Sequence, residues 1–212
     1  MASSIIHLAI ASELTKRHIF KDTDRLKLGS ILPDASDDRN KSHLWVLMAE
    51  KNMTTYDPNR FRELFGELIL SDDLYLGYYL HLVQDILYRH FVYDEYHWDP
   101  QIPGNVERLH RDYRISNYHV ISKYQLEKRL LIPDDLHEEP LFRMANFNAE
   151  NQVRFVLECF EPVDFDDVFF FTAEMADEFI ERAAAFCLKE IETLEQGGQG
   201  MDAYEFGWAV KQ

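Results

Sequence analysis

One helix constrains this chain more than any other feature. From Gly77 to His90 the sequence reads GYYLHLVQDILYRH, the centre of a helix over about 73–92 that Ser71 or Asp72 can cap. His81 and Asp85 stand four residues apart in it, so they share one face, one turn apart. An imidazole and a carboxylate so placed can grip one metal ion. His90 follows about one and a half turns later as a third donor. Gly77, one turn before His81, is expected to leave room for an ion or substrate to approach the helix.

The rest of the chain favours helices around this one. It has only 8 Gly and 7 Pro in 212 residues, too few for a turn-rich all-β fold. Apolar residues make up 46%, enough for a sizeable core. Helices are expected over about 4–17, from 22 to the residue before Pro33, and over 59–70, 105–124, 134–138, 149–159 and 172–194. Residues 32–43 and 93–104 read as loops, and the aromatic tail 201–212 is expected to dock on the body. With no repeat or linker in view, 1–212 reads as a single all-α domain. Its site would draw on residues 7–112, and its C-terminal helices, 149–194, would complete the core.

Charge and cysteine usage narrow the partners. A net charge of −16 opposes stable binding to a nucleic-acid duplex or an anionic membrane, whereas a bound cation can reverse the field locally for a small phosphoester. Cys159 and Cys187 both lie in apolar stretches and read as buried thiols, not a disulfide framework. The start resembles no signal peptide, and no apolar run reaches the length of a membrane span. A cytoplasmic, reduced protein is expected, with its oligomeric state left open.

Several residues outside the central helix have ligand chemistry. Asp34 follows the apolar run from Ile31 to Pro33, where an inward carboxylate is costly unless paired or metal-bound; the plainer reading is an Asx turn or cap. His7 lies inside an amphipathic helix and His43 opens an apolar run; each alone is more often structural. For the pair His81 and Asp85, a core hydrogen bond and a ligand pair are equally plausible. His110 and Asp112 sit two apart on a helix, about 200° around it, so at most one can reach a given ion. Asp112 and His119 share a face. His18, His97 and His137 read as surface residues.

The order of the set is more specific than any member. His7, the stretch Gly29 to Asp34 (GSILPD), His43, the helical His81-x-x-x-Asp85 and then His90 resemble the zinc-dependent phospholipase C family and its relatives, the single-strand-specific zinc nucleases. The likeness covers roughly residues 5–120. It implies a phospholipase C-like helical bundle in which His7, Asp34, His43, His81 and Asp85 are metal ligands. Asp85 would bridge two ions and Asp34 would also orient the attacking water. His90 is the candidate for the family's next histidine. The family's later His-x-x-x-Glu pair is absent here at the expected distance, and Asp112, or less readily His110, is the nearest substitute. Secreted members also use a processed terminal Trp as a ligand, where this chain begins Met1-Ala2-Ser3. Zinc is the implied cofactor, at one to three ions, with one or two fitting these departures better; manganese or iron suit the same donors.

The implied function is hydrolysis of a phosphoester, a phosphodiester or phospholipid-like substrate, by metal-activated water. A small soluble ester suits an acidic cytoplasmic protein best. The alternative is a non-catalytic domain of the same kind with a structural or vestigial metal site, whose aromatic loop from Tyr93 to Trp98 would bind a partner. A phosphohydrolase with adjacent His-Asp ligands is excluded, because the chain contains no His-Asp dipeptide.

Overall fold

The computed structural model describes residues 1–164 and 167–209. It is mostly helical, with eight α-helices among the described residues. They are α1 (Ser4–Thr15), α2 (Thr23–Gly29), α3 (Arg39–Ser42), α4 (Pro58–Ser71), α5 (Asp73–Arg89), α6 (Asn105–Lys123), α7 (Ala149–Glu158) and α8 (Ala173–Glu195). Side-chain caps start most of them. Ser3, Asp22, Asp38, Asp57, Asp72, Asn148 and Thr172 each accept a backbone N–H of the first turn, satisfying donors that helix geometry leaves unpaired. None of the described helices is long and apolar enough to cross a membrane.

Helix α5 is the axis of the molecule. Every residue from Asp73 to Ile86 is buried, as expected for a helix that is apolar on all sides. Helices α1, α2, α4 and α8 all pack against it. Its closest neighbour is α2, and two glycines set that approach. A Cβ on Gly77 would strike the Leu26 carbonyl oxygen, and one on Gly29 would strike that of Leu74. Gly77 therefore admits a neighbouring backbone, not an ion or substrate. The consequence still reaches the site, because the close crossing brings the Ser30 carbonyl to His81.

The helical reading of the sequence omitted a small antiparallel sheet. Strands β1 (Trp45–Met48), β2 (Met53–Tyr56) and β3 (Trp208–Ala209) lie in that order. Trp45 is opposite Tyr56, and Thr54 is opposite Trp208. Asn52 closes the hairpin in a left-handed conformation (φ 48°, ψ 42°), which Asn adopts at little cost. Valine and threonine on facing strands suit the pleat. The sheet carries Tyr56 and Trp208 to the rim of the site.

The tail docks through a buried carboxylate. Glu190 of α8 accepts the Met201 N–H at 2.6 Å and also the Tyr79 hydroxyl of α5. The expected end of α5 at 92 comes earlier, at Arg89, where the chain widens into a π-helical turn over His90–Glu95. In the loop beyond it, Trp98 is buried against Phe170, with ring centroids 4.4 Å apart, so this ring faces the core and not a partner. Cys187 is buried and Cys159 half-buried, both as free thiols.

Candidate metal centre

Four segments deliver five side chains to one place. His7 comes from the middle of α1, and Asp34 from the 3-10 turn Leu32–Ala35 that Pro33 initiates. His43 caps α3, whose last turn is fixed by the Tyr78 hydroxyl donating to the Ser42 carbonyl at 2.5 Å. His81 and Asp85 come from α5. His7, His43 and His81 have no exposed surface, Asp85 is 1% exposed, and the Asp34 side chain is 6% exposed.

The three imidazoles are held in one tautomeric sense. Nδ1 of His7 donates to Gln84 Oε1 at 2.7 Å, Nδ1 of His81 to the Ser30 carbonyl at 2.8 Å, and Nδ1 of His43 to the Arg39 carbonyl at 3.1 Å. A carbonyl oxygen only accepts, so each Nδ1 carries hydrogen, and in the neutral imidazole each Nε2 has its lone pair inward. Histidine metal ligands are usually oriented by such partners.

The inward atoms then sit at ligand-to-ligand spacing. Nε2 of His43 and Nε2 of His81 are 3.1 Å apart, and each is 3.4 Å from Asp85 Oδ2. Zinc bonds of about 2.0–2.2 Å imply tetrahedral edges of about 3.4 Å, so these three atoms approximate one face of a tetrahedron. Asp85 Oδ1 accepts the Ala2 N–H at 3.0 Å and lies 3.4 Å from His7 Nε2. Asp34 Oδ1 is 3.7 Å from His43 Nε2. His7 Nε2 and Asp85 Oδ2 are buried without a hydrogen-bond partner. Such orphaned atoms are costly in a core, and an ion satisfies both at once.

The donors form two overlapping groups, His43 with His81 and Asp85, and His7 with Asp34 and His81. His81 belongs to both but has only Nε2 to offer. The arrangement therefore suits one ion, or two ions that share Asp85, its Oδ1 toward His7 and its Oδ2 toward His43 and His81.

The electrostatics show that the centre attracts positive charge. Burial works to raise the Asp85 carboxyl, but His81, His43 and His7 outweigh it and hold Asp85 well below the usual carboxylate range. Burial also opposes Asp34 ionising, and His81, Arg39 and His43 overcome it. At His81, the Asp85 charge outweighs burial and raises the imidazole, while burial and the neighbouring His81 lower His7. Two buried carboxylates thus draw positive charge inward, and Arg39, 2.7 Å from Asp34 Oδ1, supplies only part of it.

The other histidines and acids read from the sequence lie elsewhere. His90 is about 140° around the helix from Asp85 and both its nitrogens are engaged, by the Phe206 carbonyl at 2.8 Å and Asp94 at 2.5 Å. Asp112 is buried facing the chain before α8 and accepts the N–H groups of Phe169, Phe170 and Phe171 at 2.9, 2.7 and 2.9 Å. It is a backbone clasp and no substitute ligand. His119 pairs with Asp177 at 2.9 Å, and His110 is exposed on a cavity wall outside the donor groups.

Two cavities reach the centre. One of about 760 Å³ runs from Asp34 between the start of α1, α6 and α7, past Tyr113, Gln152 and Phe155. A smaller one, about 330 Å³, opens on His43 and Asp85 from the side of the sheet. Met1 and Arg39 line both. Gln84, Ser30, Arg39 and Arg89, which orient or surround the ligands, were not among the residues read from the sequence. Gln84 had a visible signal, a buried amide within an apolar helix; Ser30 and the Arg39 carbonyl act through backbone, which residue type does not reveal. Comparison with protein-family models, curated proteins and solved structures gave no match.

Proposed function

We propose that the chain is a metal-dependent phosphoester hydrolase, of the phospholipase C-like kind that the motif order resembles. The observation that carries this reading is the convergence of three imidazoles, each fixed at Nδ1 by a carbonyl, on the Asp85 carboxylate, His43 and His81 at the orphaned Oδ2 and His7 at Oδ1. His43, His81 and Asp85 would hold the ion, with His7 and Asp34 beside it, and zinc suits this nitrogen and oxygen set. A bound ion would supply Lewis acidity and a water acidic enough to attack at neutral pH. Asp34, at the mouth of the larger cavity, would accept a hydrogen bond from that water and aim it. Arg39, between the two cavities, would offer its guanidinium to phosphate oxygens, and the larger cavity would receive the remainder of the ester.

A second reading is favoured by one observation, the complete burial of the three histidines, which suits a closed structural ion in a non-catalytic domain. The two readings separate on assay. Purified protein loaded with zinc or manganese should cleave a chromogenic phosphoester, and Asp34→Asn should lower turnover by about 100-fold or more while retaining metal. Bound metal with no cleavage supports the structural ion instead, and full activity in Asp34→Asn removes Asp34 from the water-orienting role.

A further inference from the structure

The small cavity beside the centre contains a charge arrangement that the ligand set does not explain. Its walls bring two guanidinium groups, Arg39 and Arg89, to the side of His43 and Asp85. Arg89 lies one helical turn beyond Asp85, on the same face of α5. Its guanidinium carbon is 3.6 Å from the Tyr93 ring centroid and 5.2 Å from that of Trp208. Among the described residues no carboxylate lies within ion-pair distance of it, although the chain carries 38 acidic residues against 22 basic ones. A half-buried cation held by ring faces keeps its N–H edge free for an anion. Arg39, anchored to Asp34 at 2.7 Å, reaches the cavity from α3.

We infer that this cavity is the seat of a terminal phosphoryl group, with Arg89 and Arg39 as its charge partners beside the ion. The inference rests on the hydrolase reading and narrows its substrate to phosphomonoesters. Two guanidiniums and a divalent cation match a dianion with three unesterified oxygens, and a diester offers only one charge and two such oxygens. At about 330 Å³ the cavity suits a phosphoryl group with a short attachment, and the organic part would pass Met1 and Arg39, which line both cavities, into the larger one.

The test is calorimetric titration of inorganic phosphate, methyl phosphate and dimethyl phosphate into the full chain, zinc-loaded and chelator-stripped, with zinc content measured in parallel. Methyl phosphate should bind the zinc-loaded protein at least about tenfold more tightly than dimethyl phosphate, since the second charge meets a second guanidinium. Arg89→Gln should weaken inorganic phosphate by about tenfold or more with zinc content unchanged, and Arg89→Lys should recover part of the loss. If Arg89→Gln does not fold, Arg39→Gln serves, because it leaves the backbone carbonyl on His43 in place. Equal binding of the two methyl esters overturns the inference, as does undiminished phosphate binding in a folded, zinc-loaded Arg89→Gln. A chain that binds zinc but no phosphate overturns the seat and leaves the metal centre standing. A chain that binds phosphate through Arg89 but holds no zinc removes the hydrolase reading and leaves the seat.

Discussion

At the scale of single residues, the centre depends as much on what stands behind each imidazole as on the imidazoles. Gln84 donates to Cys187 Sγ at 3.7 Å while its oxygen holds His7 Nδ1, so one amide fixes a ring from the core side. Gln84→Leu should weaken metal binding about 10- to 100-fold, measured by competition with a chromophoric chelator. Unchanged affinity would remove His7 from the ligand set. His81→Ala and Asp85→Ala should each abolish stoichiometric metal in the purified protein. Asp112→Asn should do the reverse: metal content stays, and unfolding free energy falls by about 2 kcal/mol or more, because hydrogen bonds to a charged acceptor are the strong ones. His7, Asp34 and His43 each read alone as structural, and it is the order of the set with the His81 and Asp85 pair, through its resemblance, that marks the five residues the fold brings together. Asp112 enters only as a substitute for an absent ligand pair, and residue type does not reveal the three backbone N–H groups that it accepts.

At the scale of elements, the crossing of α2 over α5 builds the back of the site. Gly29 and Gly77 let the two backbones approach, and that approach delivers the Ser30 carbonyl to His81 Nδ1. Gly77→Ala should therefore cost about 1–3 kcal/mol of stability by overpacking, and it should also reduce metal affinity as Ser30 is pushed away. Denaturant titration and a metal-binding isotherm on the same variant check both; a loss of stability with unchanged affinity would show that the crossing does not tune His81. The longer helices were legible from spacing and, for α5, from the Asp72 cap, whereas α3 lies inside the expected loop over 32–43 and the expected helix over 134–138 is only a 3-10 turn at Leu136–Glu138. The hairpin over 45–56 was not legible, because Trp45 to Met48 is a short apolar run in which strand and helix look alike. The role of Gly77 was misread for a related cause: a glycine beside a functional residue suggests a ligand, and only the fold shows a backbone there.

At the scale of the whole molecule, the centre joins α1, the Pro33 turn, α3 and α5, which are otherwise linked mainly by packing. An ion bound to the folded state and not to the unfolded chain adds about 4 kcal/mol at 1,000 times its dissociation constant. Chelation should accordingly lower the Tm by several degrees and zinc should restore it, in wild type but not in His81→Ala, by calorimetry at fixed protein concentration. An identical Tm with and without chelator would mean that the buried carboxylates are neutralised by other means. The clasp of Glu190 on the tail is independent of this, and Glu190→Gln should lower stability without changing the zinc-induced shift.

The most direct test is anomalous diffraction from crystals of the zinc-loaded protein, collected on both sides of the zinc absorption edge. A peak within bonding distance of His43 Nε2, His81 Nε2 and Asp85 Oδ2 is the expected result. Zinc located at His90, at Asp112 or only on the surface, with these three side chains hydrogen-bonded to one another, would contradict the proposed metal centre.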